Sequence, residues 1–401
     1  MCAPPAPSGS AAGGARKPDL AEIVRAHGGE LRRRHRLAAI QKRALRAVET
    51  CRTAALGGHL ERCDRCGTTR AVYHSCRNRH CPRCQTLAQQ RWLEARRDEL
   101  LPIEYFHVVF TLPHQLNRFA QHHPRVIYNL LFRAAAETLQ TFARDPKHLG
   151  GDLGITAILH TWGQNLSQHI HLHCVVTGGA LAPDGSRWIP ARRGFLFPVR
   201  ALSKVFRGKV LEGLERALDS EQLPPPEPGV DLLRSLRRRP WVVYAKPPFA
   251  GPEQVLAYLG RYTHRIAISN QRIVDLHDGV VRFHWRDYAN GNRSQLMELS
   301  AVEFLRRFLL HVLPSGFVRI RYFGLLANRA RKVKLQRCRE LHGKAPSHPE
   351  RPRETTEAMV RRLTGFDIRL CPVCPGGTMR VVARLHPGDP PPPGVEIRDT
   401  S

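Results

Sequence analysis

The run QHIHLHCVV, residues 168–176, places His169, His171 and His173 at every second position. Only a β-strand has that period, so the three imidazoles share one face and Ile170, Leu172, Cys174 and Val176 line the other. The apolar face demands a core. Just upstream, ITAILHTW (residues 155–162) reads as a second strand, and the short polar link GQNLSQ makes the two antiparallel neighbours. The chain is thereby committed to an antiparallel sheet with one face packed and the other carrying convergent histidines. Such histidines share a proton or a metal, and with water or phosphate oxygens completing the shell they suit Mg, Mn or Zn.

Further strands are expected at YFHVVFTL, at WVVYAK and in the hairpin QRIVDLHDGVVRFHW, whose Asp278-Gly279 is a turn signal. Ahead of the sheet, LAEIVRAHGGELRRRHRLAAIQKRALRAV has helical spacing and predicts two basic helices broken at Gly28-Gly29. A further helix is expected at QTLAQQRWLEARRDELL. The fold class expected is α+β, an antiparallel sheet flanked by helices and preceded by a helical, zinc-binding N-terminal domain. Four regions are distinguished: a disordered lead at 1–18, a helical and cysteine-rich region at 19–100, a region of mixed strands and helices at 101–341, and a proline-rich tail at 342–401.

The zinc expectation rests on two Cys-x2-Cys knuckles, Cys63/Cys66 and Cys81/Cys84, separated by 14 residues. That spacing suits one tetrahedral site. Cys51 with His59, and Cys76 with His80, are candidates for a second site, with His74 also in the segment. Four protein ligands close a zinc site, so this module folds and binds rather than catalyses. Cys371 and Cys374 form half of another site, with His386 the only obvious late partner, and GDPPPPG beyond them reads as a disordered polyproline tail.

With 63 lysines and arginines against 34 acidic residues, the net charge is +29. An excess of that size suits a polyanion, and nucleic acid is the partner expected. Arg77, Arg79, Arg83 and Arg91 place charge beside the cysteines. In RIRYFGLLANRARKVKL, Arg319, Arg321, Arg329, Arg331, Lys332 and Lys334 surround Tyr322 and Phe323, a composition suited to backbone neutralisation and base stacking. No apolar run reaches transmembrane length, and a soluble, cytoplasmic protein that joins the nucleoid when active is expected.

In GPEQVLAYLGRYTHRIAISN, Pro252 and Glu253 mark a helix start, and Tyr258 and Tyr262 then lie one turn apart on one face. Arg261, His264 and Arg265 surround them with cations able to hold a phosphate. Strand histidines and a helical tyrosine pair have a joint meaning: a bound metal polarises a phosphodiester while a tyrosine attacks phosphorus and keeps the bond as a phosphotyrosine.

GGHLERCDRCG…YHSCRNRHCPRCQ, HVVFTLPHQLN, LHTWGQNLSQHIHLHCVV, YLGRYTHRIAISN and GFVRIRYFGLLANRARKVKL together resemble, in order, the landmarks of HUH-type rolling-circle insertion-sequence transposases, the IS91-like family. The resemblance spans about residues 20–340. It implies a palm-like nuclease sheet and an enzyme acting on single-stranded DNA at element ends and on target DNA. It makes His171-Leu172-His173 the HUH motif, His171 and His173 metal ligands, and Tyr258 and Tyr262 the nucleophiles, with structural Zn and catalytic Mg or Mn. His169 departs from the proline-containing version of the motif; Gln164 or His160 could supply the third ligand instead. A replication initiator or relaxase would share this chemistry, and a zinc-containing DNA-binding regulator would lack it.

Overall fold

The structure, a computed structural model, describes residues 17–249, 254, 255, 257, 258, 260, 266–287, 290–343 and 354–397. The chain opens with α1 (Leu20–Arg34), α2 (Ala39–Thr50), β1 (Gly58–Cys63), β2 (Thr69–Tyr73) and α3 (Pro82–Arg97). It continues through β3 (Tyr105–Thr111), α4 (Asn117–His122), α5 (Pro124–Arg144), β4 (Asp152–Trp162), β5 (Gln168–Leu181) and β6 (Trp188–Pro190). Next come α6 (Val199–Asp219), α7 (Leu232–Arg238), β7 (Val243–Phe249), β8 (Ile273–His277), β9 (Val280–Asp287) and β10 (Arg293–Ser300). The described chain closes with α8 (Ala301–Leu309), β11 (Ile320–Gly324), α9 (Arg331–Leu341), α10 (Thr356–Thr364), β12 (Met379–Leu385) and β13 (Glu396–Ile397).

Alternation in β5 does what its sequence demands. Ile170, Leu172, Cys174 and Val176 are fully buried in a core shared with Phe106, Val108 and Phe110 of β3 and Ile155, Ala157 and Leu159 of β4. Helices α5 and α6 cover this face; α5 starts at Pro124 and buries Ile127, Leu130, Leu131, Ala134, Ala135 and Leu139 at helical spacing. Phe110, Phe132 and Phe206 are also buried completely, each contributing roughly 1.5–3 kcal/mol by area. The opposite face is thus free to carry polar groups. The sheet runs β11-β4-β5-β3-β7, with β6 added to β5, and every pairing is antiparallel. This is the α+β palm with flanking helices that the sequence implies.

A second sheet, β10-β9-β8, holds the expected hairpin, so that hairpin does not extend the palm. Asp278 and Gly279 both have positive φ, as a two-residue turn of this type requires. Its inner face, Ile273, Val281 and Phe283, joins α8 and the N-terminal helices in one core. That core also corrects the expected break at Gly28-Gly29: α1 runs unbroken across both glycines. A capping box between Asp19 and Glu22 starts it, and burial of Leu20, Ile23, Val24 and Leu31 outweighs a glycine penalty of about 1 kcal/mol each. The helical part of the 19–100 region therefore shares its core with residues 266–309.

The tail returns to the start of the chain. β12 pairs antiparallel with β1, and β13 pairs parallel with β2, giving the sheet β12-β1-β2-β13. GDPPPPG is the loop between β12 and β13 rather than a disordered end, because its strands are anchored on both sides of a hairpin.

β11 is a palm edge, and its last residue needs glycine. Gly324 has φ +62° and faces Gly154, and a Cβ there would run into the Leu153 carbonyl and the Gln140 amide. Gly324→Ala is expected to lower stability by roughly 2–4 kcal/mol in urea unfolding; an unchanged midpoint would mean the edge strand is not held as described.

Candidate metal centres and tyrosine site

The cysteines form two groups, and not the expected ones. Cys51, at the end of α2, meets Cys76 and the Cys81/Cys84 knuckle that opens α3. Sulfur separations are 3.6 Å for Cys51–Cys84 and 3.7 Å for Cys76–Cys84. A disulfide needs about 2.05 Å, whereas a tetrahedral zinc with bonds of about 2.3 Å spaces its sulfurs about 3.8 Å apart. Hydrogen bonding with Cys51 is the leading influence on the other three thiols, raising Cys76 and Cys81 and lowering Cys84, while the Cys76 thiol lowers Cys51 to about 7. Thiols that share protons so closely are the donor set a structural zinc replaces protons in.

Cys63 and Cys66, expected to join Cys81 and Cys84, instead group with Cys371 and Cys374. The first knuckle sits at the β1–β2 turn, and five residues of β2 at about 3.3 Å each carry the chain away before the second begins. His59 bonds Glu61 at 3.1 Å, and His80 accepts the Leu313 N–H at 3.4 Å, so neither belongs to a cysteine group. Burial lowers His80 to about 3. His386 is likewise outside both groups; its place beside Cys371 and Cys374 is taken by the N-terminal knuckle.

On the open face of the palm, register brings the imidazoles together. His160 of β4 lies directly opposite His171 of β5, and His173 follows two residues on. One ligand atom from each of the three falls within 4.8 Å of the others. His169, expected as the third member, is exposed at the start of β5; its ring lies 4.8 Å from that of His171, yet it does not join the trio. Gln164, the other alternative, lies in the β4–β5 link, where its carbonyl accepts from Arg272. The His169 carbonyl accepts from His171 Nδ1 at 2.8 Å, which fixes Nε2 as the free donor of an electron pair. Burial lowers His171 to about 4, so it is neutral at physiological pH, the form a metal takes.

Tyr258 lies over this face, 8% exposed, in a helical segment that follows β7. Its hydroxyl is 2.5 Å from His107 Nε2 and 3.3 Å from His173 Nδ1, and those two nitrogens are 2.9 Å apart. Val255, Phe249, Trp92 and Leu93 pack around it. Tyr262, Arg261, His264, Arg265 and the helix start at Pro252 and Glu253 lie outside the described residues. Sequence reasoning missed His107. The signal was present, since His107, Val109 and Thr111 alternate in β3 on the face shared with His171 and His173. Lys246 of β7 pairs with His107 and stands exposed beside it; burial first, then the Lys246 charge, lowers His107 to about 3.

The later cations divide. Arg319 is buried, its pKa lowered to about 10 by burial and by Arg79. Arg321 lies over Phe132 at 4.2 Å and donates to Asn129, and Arg331 bridges to Glu99 and covers Tyr322. Lys334 bonds Asp152 at 3.0 Å. Arg321, Arg331 and Lys334 fasten β11 and α9 to their neighbours in this way, because a guanidinium plane stacks on aromatics as readily as it meets phosphate. Arg329 and Lys332 are exposed. Nearer the cysteines, Arg83 bonds Asp19 and Arg79 bonds the Phe317 carbonyl, while Arg77 is exposed.

Residues 154–334 match the family described as putative transposase, and residues 23–112 match a transposase zinc-binding domain. The chain is 53% identical over 378 residues to the putative transposase y4qJ of Sinorhizobium fredii (strain NBRC 101917 / NGR234), covering 90% of this chain and 94% of that one. It belongs to the IS91-like transposases. The transposase for insertion sequence element IS801 of Pseudomonas savastanoi pv. phaseolicola is 29% identical over 335 residues, covering 81% of this transposase and 79% of its relative. No solved structure matches. The zinc-domain match contains all four cysteines of the first group and also His107, whereas His160, His171, His173 and Tyr258 fall in the second match. Among the described residues no helix is long and apolar enough to cross a membrane.

Since Cys51 and Cys81 are buried in the core formed by α1, α2 and α8, metal and core are expected to stand together. Replacing Cys81 and Cys84 by Ser in this transposase is expected to remove one zinc per chain and to abolish the cooperative near-UV circular dichroism transition of that core. Full zinc content in the variant, measured by plasma mass spectrometry, would refute the grouping.

Proposed function

We propose that this transposase cleaves and rejoins single-stranded DNA at the ends of an insertion sequence through a 5′-phosphotyrosine, with Tyr258 and Tyr262 as nucleophiles, and so moves the element by a rolling-circle route. The observation that carries the reading is the Tyr258 hydroxyl held at hydrogen-bond distance from His107 and His173, beside the histidine trio. The phenol oxygen attacks phosphorus, the phosphorus–O3′ bond breaks, and the 3′ oxygen leaves as a hydroxyl while the 5′ phosphate stays on tyrosine. The phenol proton has neutral imidazole beside it to receive it. Because the bond is conserved on the protein, rejoining needs no nucleotide cofactor.

Convergent imidazoles fit a divalent ion, and His160, His171 and His173 would hold it. Mg or Mn bound there supplies Lewis-acid polarisation of the scissile phosphate. Lys246, exposed next to His107, is placed to meet the phosphate charge. Tyr262 is assigned the same role toward a second DNA end. The partners proposed are single-stranded transposon ends and target DNA, with Arg329 and Lys332 among the cations presented to them. Residues 19–100 and 101–341 are proposed as the DNA-binding and catalytic regions.

Purified protein incubated with labelled single-stranded end DNA and Mn is expected to form a covalent adduct resolved on a denaturing gel. Tyr258→Phe with Tyr262→Phe is expected to abolish it while leaving binding within about twofold, since only two hydroxyls are lost. Binding without any adduct in the wild type would instead support a non-catalytic regulator. Separately, His160→Ala is expected to weaken Mn binding by titration calorimetry at least about tenfold, and His169→Ala to leave it nearly unchanged; the reverse order would restore His169 as ligand.

A further inference from the structure

The described residues 354–397 are held by very little apolar burial. Met359 and Met379 are the segment's only buried hydrophobic residues among those described, while Phe366, Leu370, Val373, Val381 and Val382 are exposed. Ordering backbone costs about 1–2 kcal/mol per residue, and segments this short usually need a disulfide or a metal to hold their shape. Ion pairs such as Arg362–Glu94 and Arg380–Asp64 are solvent-exposed and contribute at most about 1 kcal/mol each. Something stronger must tie the segment down.

The second cysteine group supplies the chemistry. Cys63 lies 3.6 Å from Cys374, and Cys66 lies 3.6 Å from Cys371. These are tetrahedral edges, not disulfide distances. Each knuckle turns its backbone N–H groups onto its first sulfur: Arg65 and Cys66 donate to Cys63, and Val373 and Cys374 donate to Cys371. Gly377 lies so close to the pair that a Cβ there would strike the Cys63 and Cys374 sulfurs. Around the sulfurs the two ends interlock further, since Thr378 and Asp64 exchange backbone and side-chain hydrogen bonds and Arg65 donates to the Pro375 carbonyl.

We propose that Cys63, Cys66, Cys371 and Cys374 bind a second zinc ion, a clasp that joins the β1–β2 hairpin to the segment before β12. Two of its ligands lie beyond residue 112, outside the region that matches the zinc-binding domain. The clasp completes the sheet β12-β1-β2-β13 and seats α10 on α3, where Arg91 bonds Thr356 and Arg362 bonds Glu94. Helix α3 in turn packs Trp92 and Leu93 against Tyr258, so the clasp stands one helix away from that residue.

The test is metal content and local order in the full chain, without DNA. Wild-type protein is expected to carry two zinc ions by plasma mass spectrometry, and Cys371→Ala with Cys374→Ala to carry one. In that variant, amide exchange over residues 356–385 is expected to speed up at least a hundredfold, with α5 and β5 keeping their protection. Cobalt loading checks the ligands directly, since the intensity of thiolate-to-cobalt absorption should fall by half. Two zinc ions in the double variant, one in the wild type, or undiminished cobalt absorption would each overturn the proposal.

Discussion

Everything at the candidate site depends on the pairing of β4 with β5 in one register. His160 faces His171 and Ile158 faces His173 on one side, while Leu159 faces Leu172 on the other side of the same two strands. A slip by one residue would exchange those faces, driving imidazoles into the core and leucines into water. The apolar layer beneath, with α5 and α6 laid over it, fixes that register more strongly than any histidine contact does. The site is therefore an imprint of the core on the opposite face of the sheet.

Burial gives that face its chemical state. His107 and His171 are held well below the ordinary imidazole pKa because a charged ring would lose its water there. Lys246 acts in the same direction on His107 from the edge strand. Neutral rings, a buried phenol and an exposed ammonium thus coexist within three adjacent strands and one helical segment, with the cationic charge at the exposed edge rather than among the ring nitrogens.

Legibility from the sequence followed the range of the forces involved. The face assignment of β5, the antiparallel partner at residues 155–162 and the helix after Cys84 were readable because a period of two or 3.6 is a local property. His160 was readable only as an alternative, since the choice between it, Gln164 and His169 depends on which strand residue falls opposite His171. The second cysteine group was not readable, because knuckle spacing along the chain carries no information about partners about 300 residues away, and without it Cys63 and Cys66 looked like the natural companions of Cys81 and Cys84. Nor was the fate of Arg321 and Arg331: composition counts their charge, but only packing shows that their planes are spent on Phe132 and Tyr322. The glycines of α1 misled for a similar reason, since a weak local preference was overruled by a buried face.

The strand pairing of β1 with β12 has a consequence for how the protein comes into being. β1 ends at Cys63, and the strand that covers its open edge is not made until residue 385 has been synthesised. Until then the N-terminal hairpin has an unfilled side, and a chain broken before β12 keeps it. A copy cut between α9 and Cys371 would keep its palm and its histidines, yet it would lack the strand and the two sulfurs that close the N-terminal hairpin.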